Sequence, residues 1–159
     1  MSIWVTADQH FEHANIIKHC GRPSDGVDQM DKALVEAWNS CVKPNDTVYH
    51  LGDLSYGRGA KPASDYLDRL HGRIHLIPGN HDRQPTLDAV SSHPTHALCP
   101  PIIDIRLDAK PGLVTVLCHY SMRSWPGSHR GSVHFFAHSH GCESACNCDP
   151  LEGVIGIQD

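Results

Sequence analysis

The chain has 159 residues, 40% of them apolar and 19% charged, which describes one globular domain with room for a core. A formal net charge of −5 with histidine neutral argues against non-specific adhesion to long nucleic acid or to an anionic membrane. There is no leader-like start and no apolar run of bilayer length, so the odd count of seven cysteines reads as reduced thiols in a cytoplasmic protein.

In chain order, the first predicted strand is Ile3-Trp4-Val5-Thr6, which opens onto the polar stretch Asp8-Gln9-His10-Phe11-Glu12-His13. Asn15 to His19 reads as a single helical turn, and Cys20 to Gly26 as turns. The clearest helix is predicted from Asp28 to Val42. Met30, Leu34, Ala37, Trp38 and Cys41 recur there at three- and four-residue spacing, with Asp28 as the N-cap and Pro44 as the stop. A second strand, Thr47 to Leu51, runs into Gly52-Asp53, and a loop over 56–60 follows. A second helix, Ala63 to Leu70, puts Tyr66, Leu67 and Leu70 on one side. The third strand, Ile74 to Ile77, stops at Pro78-Gly79 and delivers Asn80-His81-Asp82. A short helix over Thr86 to Ser91 precedes strands at 102–107 and 113–118, which read as a hairpin turning at Lys110-Pro111-Gly112. The second of these leads into His119. After a loop carrying Arg123 and Trp125, the strand Val133 to Ala137 leads into His138-Ser139-His140, and Val154 to Ile157 closes the chain. Cys20, Cys41, Cys99 and Cys118 read as small core residues, and His50 and His75 as core or sheet-face histidines. Strands alternating with helices, followed by a run of strands, give a mixed α/β protein with residues 1–159 as one domain.

Each strand end alone reads equally well as a surface turn. Five strands that each deliver Asp, Asn or His do not. The order D-x-H, G-D, G-N-H-D, a lone His after a strand, and H-x-H resembles the calcineurin-like metallophosphoesterase family, over the span Asp8 to His140. The resemblance implies an α/β fold of two packed mixed β-sheets flanked by helices, a four-layer sandwich with metals at one edge. It implies Asp8, His10, Asp53 and His140 on one divalent metal, and Asp53, Asn80, His119 and His138 on the other. A carboxylate has two oxygens and can bridge two ions, as a neutral imidazole cannot, which suits Asp53 to the shared position. Mixed nitrogen and oxygen ligation suits Mn, Fe, Zn or Ni and disfavours Ca or Mg; manganese is the first choice. The implied activity is phosphoester hydrolysis by metal-activated hydroxide, on a small phosphoester or nucleotide, with no oligomeric state implied. The alternative is a catalytically silent binding module on the same fold, which the complete ligand set disfavours.

Within this scheme His81 is read as no ligand but as the group that protonates or stabilises the leaving oxygen. Asp82 is read either as the carboxylate holding the His81 ring or as the acid at a helix N-terminus. His13, Arg22 and Arg123 are candidates to face the phosphate, the arginines through their planar forks. Three features depart from the family pattern: Ala137 in place of a glycine before H-x-H, Tyr56 near a usual Asp or Asn, and the cluster Cys142, Cys146 and Cys148, read as an ordinary loop.

Overall fold

The β1 strand, Ile3–Thr6, is followed by helices α1, Ala14–His19, and α2, Val27–Cys41, before the chain returns as β2, Thr47–His50. Helix α3, Ser64–Leu67, leads to β3, Arg73–Leu76; α4, Gln84–Ser92, leads to β4, Ala97–Leu98. Then come β5, Ile102–Arg106, β6, Val114–Cys118, a 3-10 turn over Ser128–Arg130, β7, Val133–Phe135, and β8, Ile155–Ile157. This computed structural model describes residues 1–56, 58, 61–106 and 112–140, and the backbone of 155–157.

One sheet has the order β4-β3-β2-β1-β8, the other β5-β6-β7. In the first, β1 to β4 run parallel and β8 joins β1 antiparallel. Parallel neighbours need crossovers, which the helices supply. The same parallelism sends the C-terminal ends of β1, β2 and β3 to one edge, where ligands gather in α/β folds. In the second sheet β5 pairs antiparallel with β6 as expected for a hairpin, and β6 runs parallel to β7 with Leu117 opposite Phe135. The chain therefore leaves β6 and β7 in the same direction. Two cores hold the layers together. Val35, Trp38 and Val42 from the α2 segment meet Val48, Ile74 and Leu76, with Tyr66, Leu67 and Val90. Between the sheets, Val5, Leu51, Ile77 and Leu117 pack with Ile103, Ile105 and Phe135. This is the α/β architecture that the resemblance implies. Among the described residues no helix is long and apolar enough to cross a membrane.

Several local expectations need correction. The N-cap of α2 is Gly26, and Asp28 sits in the first turn without capping it. The buried face of α2 is Met30, Asp31, Val35 and Trp38, whereas Ala37 and Cys41 are exposed. A polar member turned the stripe: Asp31 is buried because it accepts hydrogen bonds from the Tyr66 hydroxyl at 2.5 Å and the Glu12 backbone N–H at 3.1 Å. Such a pair is chosen by loops far apart in sequence and leaves no periodic signal. The expected helix from Ala63 to Leu70 is one short turn, yet Tyr66, Leu67 and Leu70 are buried as read. The two-residue β4 was not foreseen. The hairpin turn at Lys110-Pro111, most of the 56–60 loop and Cys142, Cys146 and Cys148 lie outside the described residues.

Candidate metal centre

The loop after β1 and the loop after β2 run side by side, joined backbone to backbone. Asp8 N donates to Gly52 O at 3.0 Å, His10 N to Asp53 O at 2.9 Å, and Phe11 N to Leu54 O at 3.0 Å. This zipper holds a backbone that would not be adopted freely. Among the described residues, the non-glycine residues with positive φ are Asp8, His10, Glu12, Asp53, His138 and His140, at 50° to 72°. All but Glu12 are residues expected to bind metal. Left-handed non-glycine residues cost about 1–3 kcal/mol each and persist where surrounding structure over-determines them. Their concentration here marks a site whose geometry outranks local comfort.

The two motif glycines exist for contact. Gly52 sits at φ +94, and a Cβ there would come within 2.5 Å of Gly79 N and 2.8 Å of His119 Nδ1. A Cβ on Gly79 would strike the Asp53 carboxylate. The loops after β2 and β3 thus touch main chain to main chain, and Asp82 laces them. Its carboxylate accepts from Asp53 N at 2.8 Å, Leu54 N at 3.0 Å and Gly79 N at 2.9 Å. Burial pushes the Asp82 carboxyl above the usual carboxylate range, against the pull of those N–H donors. This corrects both readings of Asp82. It does not hold the His81 ring, and α4 begins later, with Arg83 as its N-cap. Its Oδ2 accepts from two of these backbone donors and its Oδ1 from the third.

At the centre of the edge the acceptors outnumber the donors. His119 Nδ1 lies 2.7 Å from Leu51 O, a carbonyl that only accepts, so Nδ1 carries the proton and Nε2 presents a lone pair. That lone pair faces Asn80 Oδ1 at 3.0 Å and Asp53 Oδ2 at 3.5 Å, both acceptors themselves. On the other side His10 Nε2 lies 3.6 Å from the same Asp53 oxygen and 3.1 Å from His140 Nε2. Asp53 Oδ2 and Asp8 Oδ1 are buried and have no hydrogen-bond partner. Buried carboxylate oxygens without donors are costly, and a cation resolves them. Donor atoms of Asp8, His10 and His140 lie within 4.8 Å of one another; so do those of His10, Asp53 and His81, and those of Asp53, His119 and His138. The donor set fits divalent transition metals. Burial and the neighbouring His140, His81 and His13 drive the His10 imidazole down to about 2, keeping its lone pair available. Burial lifts the Asp8 carboxyl to about 6, opposed by His119.

The expected ligands are therefore together: Asp8, His10, Asp53, His119 and His140 inward, with Asn80 and His138 on the exposed rim. The His81 ring sits 5.1 Å from that of His10, and its backbone N–H donates to Asp53 Oδ1 at 2.8 Å. His13 is buried; its Nδ1 lies 3.3 Å from His10 Nδ1, and its ring stacks on Tyr56 with centroids 4.1 Å apart. It backs the His10 ring, and Tyr56 fixes its plane. Arg22 is corrected from a phosphate fork to a loop clamp, since its guanidinium donates to Asp8 O at 2.6 Å and Gln9 O at 2.7 Å. Arg123 is exposed on the loop after β6 and makes no hydrogen bond or ion pair with a described residue. Sequence reasoning missed Tyr120, 46% exposed, whose ring lies 4.9 Å from that of His119 and 4.8 Å from that of His138. It also missed Gln9, whose only signal was its place between Asp8 and His10.

Comparison with known proteins places this site in company. A family model described as calcineurin-like phosphoesterase matches residues 1–142. An uncharacterised protein of Methanocaldococcus jannaschii is 48% identical over 82 residues, 51% of this chain and 47% of that one. The gene 66 protein of Mycobacterium phage L5 is 38% identical over 81 residues, 50% of this chain and 39% of its own. The chain thus spans about half the length, or less, of these curated relatives. A crystal structure of a protein of unknown function from Aquifex aeolicus superposes with a TM-score of 0.58 at 26% identity, covering 75% of this chain and 60% of that one.

Proposed function

The chain belongs to the calcineurin-like phosphoesterase family, and from that premise we propose that it hydrolyses phosphoesters, as a phosphodiesterase or phosphatase, with a pair of divalent transition-metal ions. The observation that carries this reading is Asp53 Oδ2: buried, without a donor, and set between the Nε2 atoms of His10 and His119. Asp8, His10, Asp53 and His140 would hold one ion, and Asp53, Asn80, His119 and His138 the other, manganese being the first candidate. Ions held there neutralise phosphate oxygens and lower the pKa of water towards neutrality.

The chain's own residues supply the rest. Asp82 and the zipper between the β1 and β2 loops keep the carboxylates from recoiling from one another. His13 holds the His10 ring from behind. His81 sits beside the ligands with its ring unclaimed by any hydrogen bond among the described residues, in place to pass an imidazole proton to the departing ester oxygen. The exposed rim formed by Asn80, His138 and Tyr120 leaves the approach open, which suits a small phosphoester or nucleotide. The net charge of −5 disfavours long nucleic acid. Among the described residues Cys20, Cys41, Cys99 and Cys118 form no disulfide, which suits a cytoplasmic setting.

The test strips the protein with chelator and returns Mn, Fe(II), Zn or Ni singly. Metal uptake is followed alongside hydrolysis of a nitrophenyl monoester, a bis-nitrophenyl diester and a dinucleotide. Two equivalents bound, with hydrolysis that depends on them, is the expected result. Hydrolysis indifferent to metal would overturn the reading. Tight binding of two ions without turnover on any ester would favour the silent binding module.

A further inference from the structure

His50, the last residue of β2, is fully buried, and its imidazole faces the helix layer, with the Trp38 ring 6.2 Å away. Both of its nitrogens have assigned partners. Gly52 N can only donate, so His50 Nδ1 is the acceptor, at 3.1 Å. The proton therefore sits on Nε2 and is donated to the side-chain oxygen of Gln9. Gln9 in turn donates from Nε2 to Thr6 Oγ1 at 2.9 Å. One line of hydrogen bonds runs from the Gly52-Asp53 loop, through His50 and Gln9, to the end of β1.

Gln9 stands between Asp8 and His10. Those two turn to the metal edge, while Gln9 turns back into the protein, where it is 8% exposed. Its main-chain oxygen is held by Arg22 at 2.7 Å. On the other loop Gly52 is at φ +94 and Asp53 at φ 55; on this loop Asp8 is at φ 59 and His10 at φ 54. Both loops are thus strained where they carry ligands, and something must fix their separation. An apolar residue could fill the His50 volume, but it would leave the Gly52 N–H and the Gln9 oxygen without partners. The polar pair adds a defined length between the two loops.

We propose that His50 and Gln9 form a buried strut setting the distance between the Asp8–His10 loop and the Gly52–Asp53 loop, which makes His50 a positioning residue for metals that it never touches. Burial drives the His50 imidazole down to about 3, so the strut stays neutral and intact across the physiological range. The proposal rests on the metal reading given above and deepens it, since partners behind metal ligands typically change metal affinity about 10–100-fold.

The experiment measures Mn(II) affinity and stoichiometry by calorimetry on the chelator-stripped protein, and the melting temperature in chelator. The variants are Gln9→Leu, His50→Leu, their double, and Val90→Ala as a destabilised control in the helix-layer core. Gln9→Leu, the milder change, keeps the test alive if His50→Leu does not fold. Each strut variant should bind Mn(II) about 10–100-fold more weakly, and the double no more weakly than the worse single, because the strut fails as one unit. Val90→Ala should melt earlier yet bind Mn(II) as wild type does. Unchanged Mn(II) affinity in Gln9→Leu would overturn the strut. So would a loss of affinity in Val90→Ala that scales with melting temperature just as in the strut variants. If the wild-type chain takes up neither Mn(II) nor, in its place, Fe(II), Zn or Ni, the metal reading fails and the strut falls with it.

Discussion

At the N-terminal ends of β1 and β2, Asp46 is 3% exposed and its carboxylate is fully engaged. It accepts from Ser2 N at 2.7 Å, Trp4 Nε1 at 3.0 Å and Lys43 N at 3.0 Å. Those N–H donors, Ser2 first, hold its carboxyl down to about 2. At the C-terminal ends of the same strands, Asp53 is 1% exposed and satisfied at one oxygen only, while Asp8 and Asp53 both sit at positive φ. The sheet, the residue type and the burial are alike, but the treatment is opposite. At one end the carboxylate is a clasp, and the fold gains from its charge. At the other, carboxylate oxygens are buried without donors, in the arrangement that the proposed cations would satisfy. Stability and function are thus separable along the length of one sheet.

The sharpest way to break this comparison is Asp53→Asn. Activity should fall to background and metal content should drop, because in the proposed centre one residue serves both ions. In chelator, however, the variant should melt no earlier than wild type, since a buried unpaired charge has been removed and the amide oxygen can still accept from His81 N–H. Elemental analysis and melting curves in chelator decide it. Two tightly held metals in the variant would sink the bridging assignment.

His81→Ala tests the chemistry within the strained end. Both metals should remain, because the proposed ligand set is complete without it. Turnover should fall by about 10²–10⁴-fold on an ester whose leaving group is an alkoxide, and clearly less on a nitrophenyl ester. Equal losses on both would move His81 from proton donor to phosphate positioning, and loss of a metal would make it a ligand.

Gly79→Ala forces a methyl into the Asp53 carboxylate. A displacement of that order costs on the scale of 10²-fold in rate. Melting in chelator should change by less than activity does, since the disturbed contact belongs to the strained end. A variant with full turnover would show that the loops after β2 and β3 can part freely.

Asp46→Ala probes the clasp. It should leave metal uptake unchanged and cost on the order of 1.5–3 kcal/mol, the range for hydrogen bonds to a charged group. The wild-type advantage has a defined pH window. The folded carboxyl titrates below its unfolded value of about 4, so the stabilisation is present above that pH and is lost as pH falls through about 2. An advantage that persists at pH about 2 would point to packing rather than charge.

The residues gathered at the candidate metal centre were legible in the sequence because each is announced locally. A short apolar run, a turn signal and a metal-capable side chain lie within a few residues of one another at Asp8, Asp53, Asn80, His119 and His138. What those residues lean on was not announced. Asp82 read as a partner for its neighbour His81, and instead bonds to Asp53 and Leu54, 29 and 28 residues away. Arg22 read as a phosphate fork, and instead closes on carbonyls of the β1 loop. Asp31 interrupts the apolar stripe that fixed the expected face of α2.

The sequence by itself determined which residues end the strands, the alternation that makes the sheet parallel, and the chemistry that the strand ends bring. Those depend on the periodicity, turns and residue types of short segments. The tertiary structure alone decided which carboxylate is clasped and which is left bare, and which histidine backs another. It also decided where the backbone accepts left-handed strain. Each of these depends on which groups meet across separations such as the 41 residues between Gln9 and His50 or the 130 between Asp8 and His138. A hydrogen bond is met or left open only when the packed chain fixes both partners in space, and no local pattern carries that information.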